Sequence, residues 1–208
     1  MTTITKIIDF LKIAERLECE YRLTRMSDGN PQAVASHSWN LALMAIAVRP
    51  HLTRPVDFER VLELCILHDL PEAVAHDIPL HEQTVAVKQQ KSDAEKVVIQ
   101  KICDLLQNEN VAAEFEEYEM RQSPESKLVK LLDILDTGIQ HLCAKDLSYV
   151  ATYNDGFYWK LFFSDAFANK FDYEPILRQI YNDVRERVAD RLQHELNIDY
   201  KQFIEKDI

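Results

Sequence analysis

His68 and Asp69 stand side by side at the end of an apolar run, Val61-Leu62-Glu63-Leu64-Cys65-Ile66-Leu67. An imidazole and a carboxylate at the mouth of a hydrophobic segment cost free energy to desolvate unless something binds them. Two further groups share that character. Asp133 is flanked by Leu132 and Ile134 in the most apolar stretch of the chain, where an ionised carboxylate needs a cation or several donors. A Lys130–Asp133 salt bridge on a partly wet face would meet that need, and so would a metal ion. His37 opens a segment of mostly apolar residues (Leu41, Ala42, Met44, Ala45) and, taken alone, reads as a satisfied interface residue. Taken together, His37, His68, Asp69 and Asp133 offer two imidazoles and two carboxylates from three helices. Such a mixed N/O set suits one divalent Mn, Co, Fe, Ni or Zn ion.

Glu72 follows His68 at i+4 and Asp69 at i+3. If the turn survives Pro71, Glu72 lies beside the metal, where a general base for an attacking water belongs; otherwise it is a solvated acid at a helix start. Asp77, in Ala75-His76-Asp77-Ile78-Pro79, is explained equally well as a turn or cap residue. His51, His76, His81, His141 and His194 read as surface groups or groups supporting the site, with His76 the nearest to it. Asp136, one turn beyond Asp133, is expected to lie outside the ligand set, so that Asp136→Ala would keep the ion.

The elements that must position these groups are helical. Only three glycines and seven prolines leave few places for tight turns, which favours an all-α chain over a sandwich or barrel. Ile4, Ile7, Ile8, Leu11, Ala14 and Leu17 recur at helical spacing. The polar stretch Tyr21 to Pro31, with Asp28-Gly29-Asn30-Pro31, reads as a loop. A second helix follows with Ser36 as its cap, and Asp57 caps the one that runs into His68-Asp69. Glu82 to Leu106 reads as a long amphipathic helix and Val111 to Met120 as a short acidic one. Ser123-Pro124-Glu125 signals the start of a buried central helix through Leu142. Glu174 to Leu196 is again helical. No repeat or linker divides the chain, so 1–208 is expected to be one domain.

Lys plus Arg total 24 against 35 Asp plus Glu, a net charge of −11, which disfavours bulk nucleic acid as a partner. No apolar run approaches the roughly 18 to 20 residues of a membrane span, and Met1 to Leu11, with Lys6 and Asp9 in its pattern, is unlike a signal peptide. Cys19, Cys65, Cys103 and Cys143 form no CxxC pair and read as buried free thiols of a cytoplasmic protein.

Four blocks in order, Leu11–Arg16, Ala33–Ser38, His68–Glu72 running to Asp77-Ile78-Pro79, and Leu128–Asp133, resemble HD-domain metal-dependent phosphohydrolases. In particular they resemble the 5′-deoxynucleotidases of the YfbR kind and their eukaryotic HD-domain relatives, over roughly residues 8 to 145. The resemblance implies a helical HD-domain bundle, with residues 146–208 packed on it. It implies a divalent ion held by His37, His68, Asp69 and Asp133, with Glu72 and Asp77 catalytic. Arg16 would bind the phosphate, with Arg22 and Lys130 as further substrate-binding residues and Arg25 able to share the role. The chemistry would be hydrolysis of a (deoxy)nucleoside 5′-monophosphate, a small-molecule nucleotide substrate, to nucleoside and phosphate. Alternatives are an HD-type triphosphate hydrolase and a non-catalytic metal- or nucleotide-binding module. The aromatic segment Tyr153 to Phe171 is either a contact surface for a homodimer or part of the core.

Overall fold

A computed structural model of the chain describes residues 2–75, 85–108, 110–151 and 157–201. Asp77, with His76 and His81, lies outside the described residues. Among the described residues, eleven α-helices and two strands follow one another, with short 3₁₀ turns between some of them. Helix α1 (Thr3–Ala14) passes through a 3₁₀ turn, Glu15–Glu18, into strands β1 (Tyr21–Arg25) and β2 (Pro31–Ala33). Helices α2 (Val34–Val48), α3 (Phe58–Leu67), α4 (Glu72–Ala75), α5 (Val85–Leu106), α6 (Asn110–Met120) and α7 (Pro124–Cys143) build the body. Then come α8 (Ser148–Ala151), α9 (Phe157–Phe163), α10 (Asp165–Ala168) and α11 (Pro175–Leu196).

The all-α expectation holds apart from one antiparallel hairpin, which replaces the loop expected over Tyr21 to Pro31. Its inward positions are polar: Thr24 and Gln32 are buried and joined by a 2.8 Å hydrogen bond from Thr24 Oγ1 to Gln32 Oε1. A strand that buries polar side chains carries no apolar alternation, so the usual signal was missing. Turn chemistry survives at its tip, where Gly29 takes φ +89° and Asp28 accepts from the Asn30 amide at 2.8 Å.

Two caps are where the side chains predict them. Asp57 accepts from the Arg60 amide at 3.3 Å, and Ser123 Oγ from the Ser126 amide at 3.1 Å with Pro124 in the first turn. Ser36 is not a cap; α2 starts two residues earlier, at Val34, with Ala33 in the cap position and no side-chain bond. The extended β2 delivers the chain straight into the helix, and the Val34 amide finds the Glu20 carbonyl at 2.9 Å instead.

Central helix α7 is buried along Leu128, Val129, Leu131, Leu132 and Leu135, and packs against α2, α3 and α11. Gly138 lets the last of these close in: a Cβ there would meet Val184 at 2.9 Å and Phe162 at 3.2 Å. Three arginines of α11 hold the C-terminal layer by donating to carbonyls left open at helix ends. Arg178 reaches Ala168 at 2.5 Å, Arg185 reaches Phe163 at 2.6 Å, and Arg191 reaches Leu142 at 2.9 Å. The core reading of the aromatic segment holds at Trp159, Phe162, Phe163 and Phe171, which are all buried.

His141 departs from expectation. It is buried among Tyr149, Tyr158 and Trp159, with Nδ1 2.7 Å from the Tyr149 hydroxyl. Burial, aided by Arg191, pushes its pKa down to about 3. Between the ordinary value of about 6.5 and that value the unfolded chain binds a proton that the folded chain does not, so folding stability falls as pH drops through this window. From pH 7 to pH 5 the His141 contribution should be a loss of about 2 kcal/mol. Denaturant titrations at both pH values should show that loss shrinking in His141→Gln; an unchanged pH dependence would contradict the assignment. Two cysteines also differ: Cys65 and Cys103 are buried, but Cys19 and Cys143, at the ends of elements, are exposed, and none of the four forms a disulfide.

Candidate metal centre

Four elements converge on one cluster. His37 comes from the second turn of α2, His68 and Asp69 from the end of α3, Asp133 from the middle of α7, and Arg22 from β1. The ligand atoms of His37, His68 and Asp69 lie within 4.8 Å of one another. Asp133 stands at the rim of that trio, with Oδ1 3.2 Å from His37 Nε2. The salt-bridge reading of Asp133 is realised: its Oδ2 takes the Lys130 ammonium at 2.6 Å and the Tyr118 hydroxyl at 3.1 Å, while Oδ1 stays on the side of the trio.

The orientation of the two rings carries the chemistry. His37 Nδ1 faces Asp136 Oδ2 at 2.7 Å, and His68 Nδ1 faces the Cys65 carbonyl at 3.0 Å. Each Nδ1 therefore carries the proton and donates it outward, which leaves the Nε2 lone pairs aimed at the cluster. Both Nε2 atoms are buried and lack a hydrogen-bond partner, although carboxylates lie close by. Unpaired buried acceptors beside carboxylates fit a divalent cation. The two rings meet edge-on, 5.3 Å apart.

Electrostatics keep both carboxylates ionised. Burial disfavours charge on Asp69, but His68, His37 and Arg22 more than offset it and hold the carboxyl well below the usual carboxylate range. Asp133 is lowered too, with burial opposed by Lys130, His37 and Arg22. Burial works against a charged His68, yet Asp69 outweighs it and raises the imidazole. Burial and the charge of Asp133 push Cys65 up to about 12, so it stays a thiol.

Asp136 lies outside the ligand trio, as spacing suggests, yet it faces one of its members. Only 1% exposed, it accepts from Gln32 at 3.2 Å as well as facing His37, and Asn40 and Gln140 reach its other oxygen at 3.4 Å. Its position one turn after Asp133 was visible. The distance to His37, far away in the chain, was not.

Glu72 is neither solvated nor displaced by Pro71. Its amide bonds the Asp69 carbonyl at 3.0 Å, so the turn survives, and its side chain is buried against Lys91 at 2.9 Å. The two expected phosphate arginines separate. Arg16 is exposed in the 3₁₀ turn, with no ion pair to the cluster. Arg22 lies 3.6 Å from Asp69 and 3.9 Å from Asp133, and touches Thr137 at 3.4 Å.

A helical fold with paired His-Asp ligands on neighbouring helices defines the HD domain, and residues 14–161 match that family, to which the chain belongs. It is 31% identical over 141 residues to the 5′-deoxynucleotidase HDDC2 of Danio rerio, covering 67% of each chain. It is 28% identical over 135 residues to the 5′-deoxynucleotidase hdd1 of Schizosaccharomyces pombe, covering 61% of this chain and 66% of that one. The fold matches that of a protein from Magnetospirillum magnetotacticum described as a predicted metal-dependent phosphohydrolase. The TM-score is 0.72 at 20% identity, over 90% of this chain and 93% of the other. A conserved hypothetical protein from Pyrococcus furiosus matches with TM-score 0.64 at 26% identity, over 86% and 99%.

Proposed function

We propose that this chain is a metal-dependent phosphohydrolase that converts (deoxy)nucleoside 5′-monophosphates to nucleoside and phosphate. The observation that carries the reading is the pair of buried Nε2 lone pairs of His37 and His68 beside two carboxylates. Its relatives' names as 5′-deoxynucleotidases supply the substrate class.

In this reading His37, His68, Asp69 and Asp133 hold one divalent ion, which when bound supplies Lewis-acid polarisation of the phosphoryl oxygen and acidifies water. Glu72 takes the proton of the attacking water, and Asp77 helps to position or protonate groups at the scissile phosphate. Arg22 grips the phosphate with its planar fork, and Lys130 adds charge from the Asp133 side. The whole of 1–208 acts as one HD domain, since α11 packs along α7 beyond the matched stretch. Free cysteines support a reducing, cytoplasmic setting, and no helix among the described residues is long and apolar enough to cross a membrane. Exposed Trp39, Leu43 and Ile46 at helical spacing on α2 support pairing of two copies.

The test is product analysis on a panel of dNMPs, NMPs and dNTPs with Mn²⁺ or Co²⁺. Phosphate released from monophosphates is expected; tripolyphosphate from triphosphates would replace this reading with the triphosphatase one. Within that assay Arg22→Ala should raise KM by at least about tenfold, the loss of a charge-assisted contact of about 1.5 kcal/mol or more. Arg16→Ala should leave KM near wild type, and the opposite order would return the phosphate to Arg16.

A further inference from the structure

Helix α5 brings a second layer of charge to the centre. Lys91 lies 2.9 Å from Glu72 Oε1 and 3.5 Å from Glu95 Oε1, and all three side chains are at most 17% exposed. Glu72 ties this trio to the ligand cluster, since its amide bonds the Asp69 carbonyl at 3.0 Å. A buried ion pair adds little net stability, because desolvation offsets the attraction. Its value lies in geometry. Glu72 has a long side chain one turn beyond Asp69, and the ammonium on its Oε1 restricts the rotamers that the carboxylate can take.

We propose that Lys91 is the positioning residue of Glu72, an assignment that rests on the phosphohydrolase reading. Its ammonium fixes the carboxylate from α5, keeps it out of the ligand set, and separates it from Glu95. Arginine would preserve the charge and much of the reach, whereas methionine keeps only the volume. Glutamine keeps a donor without the charge.

Steady-state kinetics on the metal-loaded full chain test this. Lys91→Met should lower kcat by roughly 10- to 100-fold, the range for partners that orient an active-site group. KM and bound metal per chain should stay close to wild type. Lys91→Arg should restore most of kcat, and Lys91→Gln should fall between the two and replace the Met variant if that one does not fold. In a Glu72→Gln background, Lys91→Met should cost nothing further, because its action runs through Glu72. Wild-type kcat in Lys91→Met, or an equal additional loss in the Glu72→Gln background, would overturn the assignment. A wild-type protein that releases no phosphate would instead overturn the functional reading on which it rests.

Discussion

Glu72→Gln is expected to lower kcat for phosphate release by roughly 10²- to 10⁴-fold, the usual worth of a general base. Bound metal and KM should stay near wild type, because Glu72 stands outside the His37, His68 and Asp69 trio. Glutamine is the informative replacement. It keeps the volume of a side chain only 5% exposed and still accepts from Lys91, 2.9 Å away. Alanine would remove the 2.9 Å partner of that half-buried ammonium and would mix a folding defect into the kinetics. If Glu72→Gln keeps wild-type kcat, the base lies elsewhere, and Asp77 becomes the first residue to test.

The second large effect belongs to Asp136. Replacing it by alanine removes the acceptor of His37 Nδ1–H, so the ring loses what fixes its tautomer and orientation. Metal affinity should weaken by roughly 10- to 100-fold. Stability should fall as well, by about 3 kcal/mol or more, because a buried network loses its shared carboxylate and Gln32, Asn40 and Gln140 lose a partner. Asp136→Asn keeps an acceptor oxygen and should be milder in both respects. Calorimetric metal titration and thermal unfolding read the two effects separately. Asp136→Ala binding metal as tightly as wild type would show that His37 is oriented by other means.

Weaker metal binding in Asp136→Ala would reverse what spacing suggested, since Asp136 looked dispensable for the ion. Chemistry was legible wherever it was costly in an apolar context: His68-Asp69 after an apolar run, Asp133 between Leu132 and Ile134, and Glu72 at i+4 from His68. Helix ends were legible where a side chain does the capping, as at Asp57 and Ser123, and illegible at Ala33, where the hairpin sets the start of α2. The hairpin itself was hidden because Thr24 and Gln32 bury polar groups against each other. Long-range partners were hidden for a different reason. Asp136 with His37, Lys91 with Glu72, and Arg22 with Asp69 are joined only by the way separate elements pack, and local periodicity carries no information about that. Between Arg16 and Arg22 the choice likewise needed the structure, because each follows a segment that could face the phosphate.

The most direct measurement is phosphate release from a deoxynucleoside 5′-monophosphate by chelator-stripped protein titrated with Mn²⁺. Release should be negligible before metal is added, rise with the ion, and saturate near one equivalent per chain. Release that is independent of added metal, or a chain that fills with metal and hydrolyses nothing, would contradict the account.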